Sequence, residues 1–241
     1  MMMLKRWIIA SGLAFSLLAQ AAAAGPMEDA EAAYNRGDYE TALQILKPLA
    51  ELGNASAQQS LGAMYAKGQG VSQNYAEALK WFRKAADQGL ATAQSNIGNV
   101  YAAGLGVPQD YAEALKWFYK SAGQGEPFAQ TSIGSLYDNG FGVAQSFAEA
   151  VYWYWLAAEQ GYPKAQGNLG VKYEFGQGVS RDFVTAHMWY DLAITGLPTS
   201  ETKFRNYFLS RREQVSEHLT AHELAEAQRL AKEWTAGHSK K

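Results

Sequence analysis

The chain has 241 residues, no cysteine and a formal net charge of −2 at pH 7. A chain without cysteine forms no disulfide and performs no thiol chemistry. The slightly acidic balance, without a basic stripe, argues against a nucleic-acid partner.

The N-terminal segment has the parts of an export signal. Lys5 and Arg6 precede an apolar run from Trp7 to Ala19, and small residues follow up to Ala24. The run is about a dozen residues long, shorter than the roughly 20 that span a bilayer, so we expect cleavage rather than anchoring. Residues 1–24 are therefore interpreted as a signal peptide, and we expect no membrane span after its removal.

Residues 27–56 predict a tight helical hairpin that caps the N-terminal end. Tyr34 precedes Tyr65 by 31 residues, whereas Tyr39 precedes Tyr75 by 36, so the loop inside this hairpin is shorter than those that follow. Terminal units of a repeat array are often atypical because they have only one neighbour.

The chain then repeats a pattern with a period of 36 residues, in blocks 57–92, 93–128, 129–164 and 165–196. Each block has two segments with apolar residues at helical spacing, joined by a glycine-containing loop. The second segment opens with a capping-box spacing, such as Asp110 with Glu113, and a glycine such as Gly125 follows its end. The unit is therefore a helical hairpin, and a fixed period of this length predicts a stacked array.

A glycine recurs inside the first helix of each block. The four positions are Gly62, Gly98, Gly134 and Gly170. Because glycine in a helix costs roughly 0.5–1 kcal/mol relative to alanine, its recurrence predicts that a neighbouring helix comes close there. The small surface facing it is assigned to Ala78, Ala114, Ala150 and Ala186. The residues predicted to fill the space between hairpins are Trp81, Trp117, Trp153 and Trp189.

These recurring Ala, Leu/Ile-Gly, Tyr, Gly-x-Gly-Val, Ala, Trp and Ala-Ala positions resemble the Sel1-like repeat family, a relative of the tetratricopeptide repeat. The resemblance covers residues 57–196. It implies an all-α, right-handed solenoid of helical hairpins with a concave groove lined by the first helices. The shorter hairpin at 27–56 looks more like a tetratricopeptide unit.

The period stops after residue 196. Thr199 or Ser200 can cap a helix that ends near His218, and Thr220 opens another that ends near Trp234. Residues 197–236 are predicted to form a C-terminal helical cap, and residues 237–241 a polar, frayed tail.

No catalytic, cofactor or metal constellation emerges, so we expect that the protein is not an enzyme. The Gly-x-Gly loops follow a helix and lack the strand and third glycine of a nucleotide loop. Ser200 has the Ser-x-x-Lys spacing of penicillin-interacting enzymes without their other motifs. His218 and His222 have the spacing of a metal pair, but Thr220 starts a helix between them.

The concave face of the array is the expected binding surface. Counting along the first helices from the recurring Leu/Ile-Gly pair gives its positions. The predicted partner-binding residues are Gln59, Lys67, Ser95, Asn99, Ser135, Asp138, Asn139, Glu174 and Phe175. The groove would be small and polar in the early repeats and more acidic and aromatic in the late ones. An extended peptide or a helix of a partner protein is the expected ligand.

The run from Tyr152 to Trp155 contains four consecutive aromatic residues. Neighbours on a helix point about 100° apart, so at least one of them lies near the surface. Two interpretations stand: packing against the next hairpin, or a hot spot for a partner.

The leading functional hypothesis is an exported, periplasmic and monomeric interaction scaffold without a cofactor. It would bind a protein or peptide, and the family resemblance suggests an envelope complex or a signalling protein as the partner. The alternatives are an enzyme that acts on envelope glycans or β-lactams, and a secreted effector directed at a host.

Overall fold

The computed structural model describes residues 25–238, which form twelve α-helices and no strand. In chain order they are α1 Pro26–Asn35, α2 Tyr39–Glu51, α3 Ala55–Lys67, α4 Tyr75–Asp87, α5 Ala91–Ala103, α6 Tyr111–Ala122, α7 Pro127–Asn139, α8 Phe147–Ala158, α9 Pro163–Phe175, α10 Phe183–Gly196, α11 Thr202–Ser216 and α12 Ala221–His238. The predicted signal peptide, residues 1–24, and the last three residues of the predicted tail lie outside this range.

Four hairpins, α3–α4 to α9–α10, form the predicted array, with α1–α2 before it and α11 and α12 after it. Each second helix begins at a side-chain cap: the Asp110 carboxylate, for example, accepts from the Glu113 amide at 2.9 Å. In a capping box, the Glu113 carboxylate would also accept from the Asp110 backbone amide. Here Glu113 accepts instead from Lys116 and from the Trp117 indole. The sequence thus predicted the start of the helix correctly, but only one of the two hydrogen bonds of the predicted capping box forms.

The recurring glycine admits an aromatic ring from the second helix of the same hairpin. A Cβ added at Gly98 would lie 2.7 Å from the Phe118 ring. The same clash occurs at the other three glycines, with Phe82, Tyr154 and Tyr190. The predicted close approach is confirmed. The predicted alanines also face the glycines, since a Cβ added at Gly62 or Gly134 would lie 3.1 or 3.2 Å from the backbone carbonyl oxygen of Ala78 or Ala150. The side chains that fill the space are the aromatic rings, which the sequence analysis did not identify.

The tryptophan row packs each hairpin against the one before it. Trp81, for example, contacts the core cluster of α1–α3, and Trp117 contacts the cluster of α4 and α5. This confirms the predicted position between hairpins. Lys84 and Lys120 lie over the Trp81 and Trp117 rings, with Nζ at 4.2 and 4.3 Å from the ring centroids.

A row of buried glutamines at the start of the first helices also ties the hairpins together. Gln58 donates to the carbonyl of Ala50, at the end of the preceding second helix, at 3.0 Å. Its Oε1 accepts from Gln88, 30 residues further on, at 2.8 Å. The same bond at the same separation joins Gln124 to Gln94, at 2.9 Å. These bonds satisfy buried polar groups at each junction, where an unpaired group would cost about 1–3 kcal/mol.

Helix α11 takes the place that the first helix of a further repeat would take. Lys164 pairs with Glu201 near the start of the helix, and Glu174 pairs with Arg211 further along. Both pairs are 37 residues apart, so α11 runs parallel to α9. Its Phe208 fills the space beside Gly167.

Helix α12 packs against α10, where the Trp234 and Trp189 rings meet edge to face at 6.1 Å. A predicted boundary is wrong here: α12 continues through Gly237 to His238, because the His238 ring stacks on Trp234 at 3.9 Å. At its start, the predicted Thr220–Glu223 capping box forms in both directions.

Between α10 and α11, Asp191 is held by two basic side chains. His187 Nδ1 lies 3.2 Å from one carboxylate oxygen and Arg212 Nη1 2.7 Å from the other. Burial opposes ionisation of Asp191, but these two contacts outweigh it and hold the pKa of Asp191 below its ordinary value. The carboxylate is therefore charged in the folded protein at neutral pH.

Candidate concave binding site

Two adjoining cavities lie along α3, near the N-terminal end of the array. The first, about 400 Å³, lies between the cap and the first repeat, and its lining includes Glu31, Tyr34 and Gln59. The second, about 240 Å³, lies between the first and second repeats, and its lining includes Asn96 and Asn99. Ala63 and Lys67 line both, so the two cavities are neighbours along α3, and together we call them the groove along α3.

Polar contacts hold the rim of the larger cavity. The Tyr34 hydroxyl donates to Gln69 Oε1 at 2.7 Å, and Lys67 Nζ donates to the same hydroxyl at 3.2 Å. Lys67 is otherwise exposed and pairs with no carboxylate among residues 25–238. The cavity thus presents an available positive charge above an apolar floor that includes Ala30 and Leu46.

Five of the nine predicted positions are open to solvent: three line the two cavities, and two are exposed elsewhere on the first helices. Gln59 lines the first cavity, Asn99 the second and Lys67 both. Asn139 and Phe175 are exposed at the ends of α7 and α9. Asn139 Nδ2 donates to its own helix, at the Ser135 carbonyl, and Ser135 is half-buried.

Ser95 does not reach the surface. It is buried, and its hydroxyl donates to the Thr92 carbonyl at 3.0 Å within α5. The expectation that it lines the groove is therefore corrected. A serine hydroxyl often bonds back to its own helix, and burial then leaves nothing for a ligand.

Asp138 is already engaged within the chain. It forms an ion pair with Lys172, whose Nζ also donates to Gln177 Oε1 at 2.8 Å. The Tyr154 hydroxyl approaches Asp138 at 3.4 Å. Burial, foremost, and the Asp138 charge raise the pKa of Tyr154, which remains protonated. The Asp138 carboxylate thus links α7 to α9 through an ion pair and is not available to a ligand.

Glu174 is also buried, and α11 explains why. The carboxylate accepts from the Tyr190 hydroxyl at 2.7 Å and pairs with Arg211 of α11. Burial, foremost, and the hydrogen bond to Glu174 raise the pKa of Tyr190. The Arg211 guanidinium also lies 4.8 Å from the Phe175 ring centroid. The expected acidic character of the late groove is therefore wrong, because both carboxylates are neutralised by partners 34 and 37 residues further along the chain.

The sequence missed several lining residues of the open groove. Glu31, Tyr34, Ser60 and Asn96 were not among the predicted positions, yet all four line the two cavities. The counting rule placed only one row of each first helix on the concave face and left out the capping hairpin. The capping hairpin departs from the 36-residue period, so no repeat position pointed to Glu31 or Tyr34.

The residues considered for chemistry lie apart from one another. Within residues 25–238, no three acidic, histidine or cysteine side chains come together as metal ligands. Ser200 lies in the turn before α11, whose N-cap is Glu201, with no capping bond from its side chain. None of the helices in the described part of the chain combines the length and apolarity needed to cross a bilayer.

Comparison with known proteins identifies the repeat. A family model described as Sel1 repeat matches residues 55–90, 91–126, 127–162 and 163–196. These are the four hairpins of the array, each starting two residues before the blocks set by the sequence pattern. No curated protein matches the chain.

Solved structures of bacterial proteins share the architecture. A protective antigen of uropathogenic Escherichia coli with an SLR fold is 36% identical, with a TM-score of 0.73 over 83% of this chain. This chain spans only 42% of that protein's length. A Sel1 repeat protein from Oxalobacter formigenes is 29% identical, with a TM-score of 0.66, over 89% of this chain and 99% of that one. An immunity protein from Pseudomonas aeruginosa, 22% identical, shares the fold with a TM-score of 0.52 over 78% of this chain and 82% of its own.

Proposed function

The chain belongs to the Sel1 repeat family, and on that premise we propose that it is an interaction scaffold whose concave face binds an extended segment of a partner protein. Sel1 repeats commonly serve as protein-interaction scaffolds, and the family is generally non-enzymatic. The ligand site is the groove along α3, lined by Gln59, Lys67 and Asn99.

The observation that carries this proposal is the pair of adjoining cavities. The first cavity, about 400 Å³, falls within the roughly 300–1,000 Å³ typical of small-molecule pockets, and the second, about 240 Å³, falls below that range. Cavities of this size suit side chains of a peptide. The amides of Gln59, Asn96 and Asn99 can each both donate and accept, as the main chain of an extended peptide requires. Lys67 adds one charge that favours a carboxylate on the ligand.

We further propose that the protein is exported to the periplasm, where it acts as a monomer on an envelope complex or a signalling protein. The support is the sequence at residues 1–24, with its basic start, apolar run and small residues. Cell fractionation with N-terminal sequencing of the mature chain tests export. Recovery of an uncleaved chain from the cytoplasm would contradict export. Light scattering of the purified protein tests the monomeric state, and a mass of two or more chains would contradict it.

Pull-down from the native envelope after crosslinking tests the groove. The variant carries Gln59→Arg and Asn99→Arg, which fill both cavities. The matched control carries Asp87→Arg, an exposed substitution on α4. We expect the variant to lose partners that both the wild type and the control retain, while its thermal melt stays unchanged. Retention of the full partner set by a folded groove variant would reject this site.

A further inference from the structure

The outer surface of the second helices carries aromatic residues that the concave groove does not use. In α8, Tyr152 and Trp155 remain 54% and 47% exposed. They are three residues apart and therefore share one face of the helix. Trp153 makes edge contacts with Tyr152 at 5.4 Å and with the exposed Tyr119 of α6 at 5.6 Å. Tyr119, Tyr152 and Trp155 thus form an aromatic patch across two neighbouring repeats.

Packing of the array does not require aromatic residues at these positions. One repeat earlier, the position of Tyr152 is occupied by Lys116. Two repeats earlier, the position of Trp155 is occupied by Arg83. Both of these charged residues are exposed while their hairpins pack in the same way. Tyr119 and Tyr152 contact Trp153 on one side only, and the repeat itself does not explain the aromatic area that Tyr152 and Trp155 leave exposed. Exposed aromatic area of this kind is typical of an interaction surface.

Positive charge lies beside the patch. Lys116 and Lys120 are on α6, next to Tyr119, and Lys80 and Lys84 repeat the arrangement on α4. Lys116 is paired with Glu113 at 2.9 Å, as Lys80 is with Glu77 at 2.8 Å. Lys84 and Lys120 lie over tryptophan rings instead, and neither has a carboxylate within ion-pair distance among residues 25–238. The surface thus has an aromatic end on α8 and two available cations on α6 and α4.

We propose that this outer surface binds an acidic segment of a partner protein that carries aromatic or aliphatic anchors. The anchors lie on the patch, and the carboxylates of the segment pair with Lys120 and Lys84. Helices α8, α6 and α4 are the second helices of three successive hairpins, so the segment crosses three hairpins in an extended conformation.

The charges around the patch favour a protein segment over an anionic bilayer. Glu149 and Glu159 lie at the two ends of α8, with Tyr152 and Trp155 between them. A flat anionic surface pressed on the patch would meet the Glu149 carboxylate and also that of Glu159, which lies 3.4 Å from His238 Nε2. A narrow segment that crosses α8 between them and continues towards α6 avoids this repulsion.

Fluorescence anisotropy with the purified protein and two labelled peptides tests the proposal. One peptide has an apolar first half followed by glutamates, and the other has lysines in place of the glutamates. We expect the glutamate peptide to bind at least about tenfold more tightly, and added salt to weaken it. Tyr152→Ala with Trp155→Ala should weaken this binding at least about tenfold. The matched control, Phe141→Ala, removes an exposed aromatic from the loop after α7 and should leave it unchanged.

A charge-reversal variant provides a second test if Tyr152→Ala with Trp155→Ala destabilises the fold. Lys84→Glu with Lys120→Glu should reverse the preference between the two peptides, while Gln59→Arg with Asn99→Arg in the concave groove should not alter it. Equal affinity for both peptides, or no binding of the glutamate peptide at millimolar concentration, would overturn the proposal. So would phosphatidylglycerol vesicles that bind through Tyr152 and Trp155 when the peptide does not.

Discussion

Replacing Asp138 with alanine should destabilise the array strongly, because it leaves a buried lysine without its counter-charge. The side chain of Lys172 is 4% exposed and that of Asp138 20%. Lys172 stands where the earlier repeats have Met64, Val100 and Leu136, all buried. Removing one partner of a buried ion pair typically costs about 3–5 kcal/mol. Since Gln177 still accepts from Lys172, we expect the lower part of that range, about 3 kcal/mol.

The double variant separates the pair from its surroundings. Lys172→Met restores the apolar residue of the first repeat, and combined with Asp138→Ala it removes both charges. We expect this double variant to be about as stable as the wild type, since apolar replacements of buried ion pairs are often neutral or stabilising. The coupling energy should then exceed about 2 kcal/mol. Urea unfolding followed by circular dichroism measures all four proteins. An Asp138→Ala cost below about 0.5 kcal/mol, or additive single effects, would show that Asp138 and Lys172 do not stabilise the array as a pair.

Two further predictions concern packing and pH. Gly98→Ala should destabilise the protein by about 1–3 kcal/mol, because the added Cβ meets the Phe118 ring. Gly237→Ala meets nothing within 4 Å and should stabilise α12 by up to about 1 kcal/mol. The midpoints of urea unfolding check both variants, and a stabilising effect of Gly98→Ala would contradict the close packing of the Phe118 ring on Gly98. Because the pKa of Asp191 is lowered in the folded state, its contribution to stability is present above the unfolded pKa of about 3.9 and is lost as pH falls through the folded pKa. The Asp191→Asn variant should therefore lose less stability between pH 5 and pH 2 than the wild type does. Urea unfolding at each pH measures this loss, and an equal loss in both proteins would contradict a contribution of Asp191 to the pH dependence.

The array could be predicted from the sequence because its signals are local and periodic. The spacing of Gly98 and Trp117 within one block fixes a hairpin, and recurrence of the block fixes the stacking. Which atoms fill the space at Gly98 could not be predicted, since Ala114 and Phe118 lie one turn apart on the same helix and both face the core. Only the packed geometry selects the ring.

The charges on the concave face could not be predicted in the same way. Asp138 and Glu174 lie on the expected side of their helices, but their partners, Lys172 and Arg211, come from the next repeat and from α11. Arg211 lies beyond the end of the period, so no repeat pattern pointed to it. Lys172 did indicate a buried ion pair, because it occupies a position that is apolar in the other three repeats.

Photo-crosslinking from position 99 tests whether a partner binds in the groove along α3. A photoreactive phenylalanine analogue is placed at Asn99 in the full chain and, in a separate variant, at the exposed Lys203 on α11. After irradiation of intact cells, we expect a discrete adduct from position 99 that disappears when Gln59→Arg is added, and none from position 203. Adducts of the same mass from both positions, or from position 203 alone, would contradict binding in the concave groove.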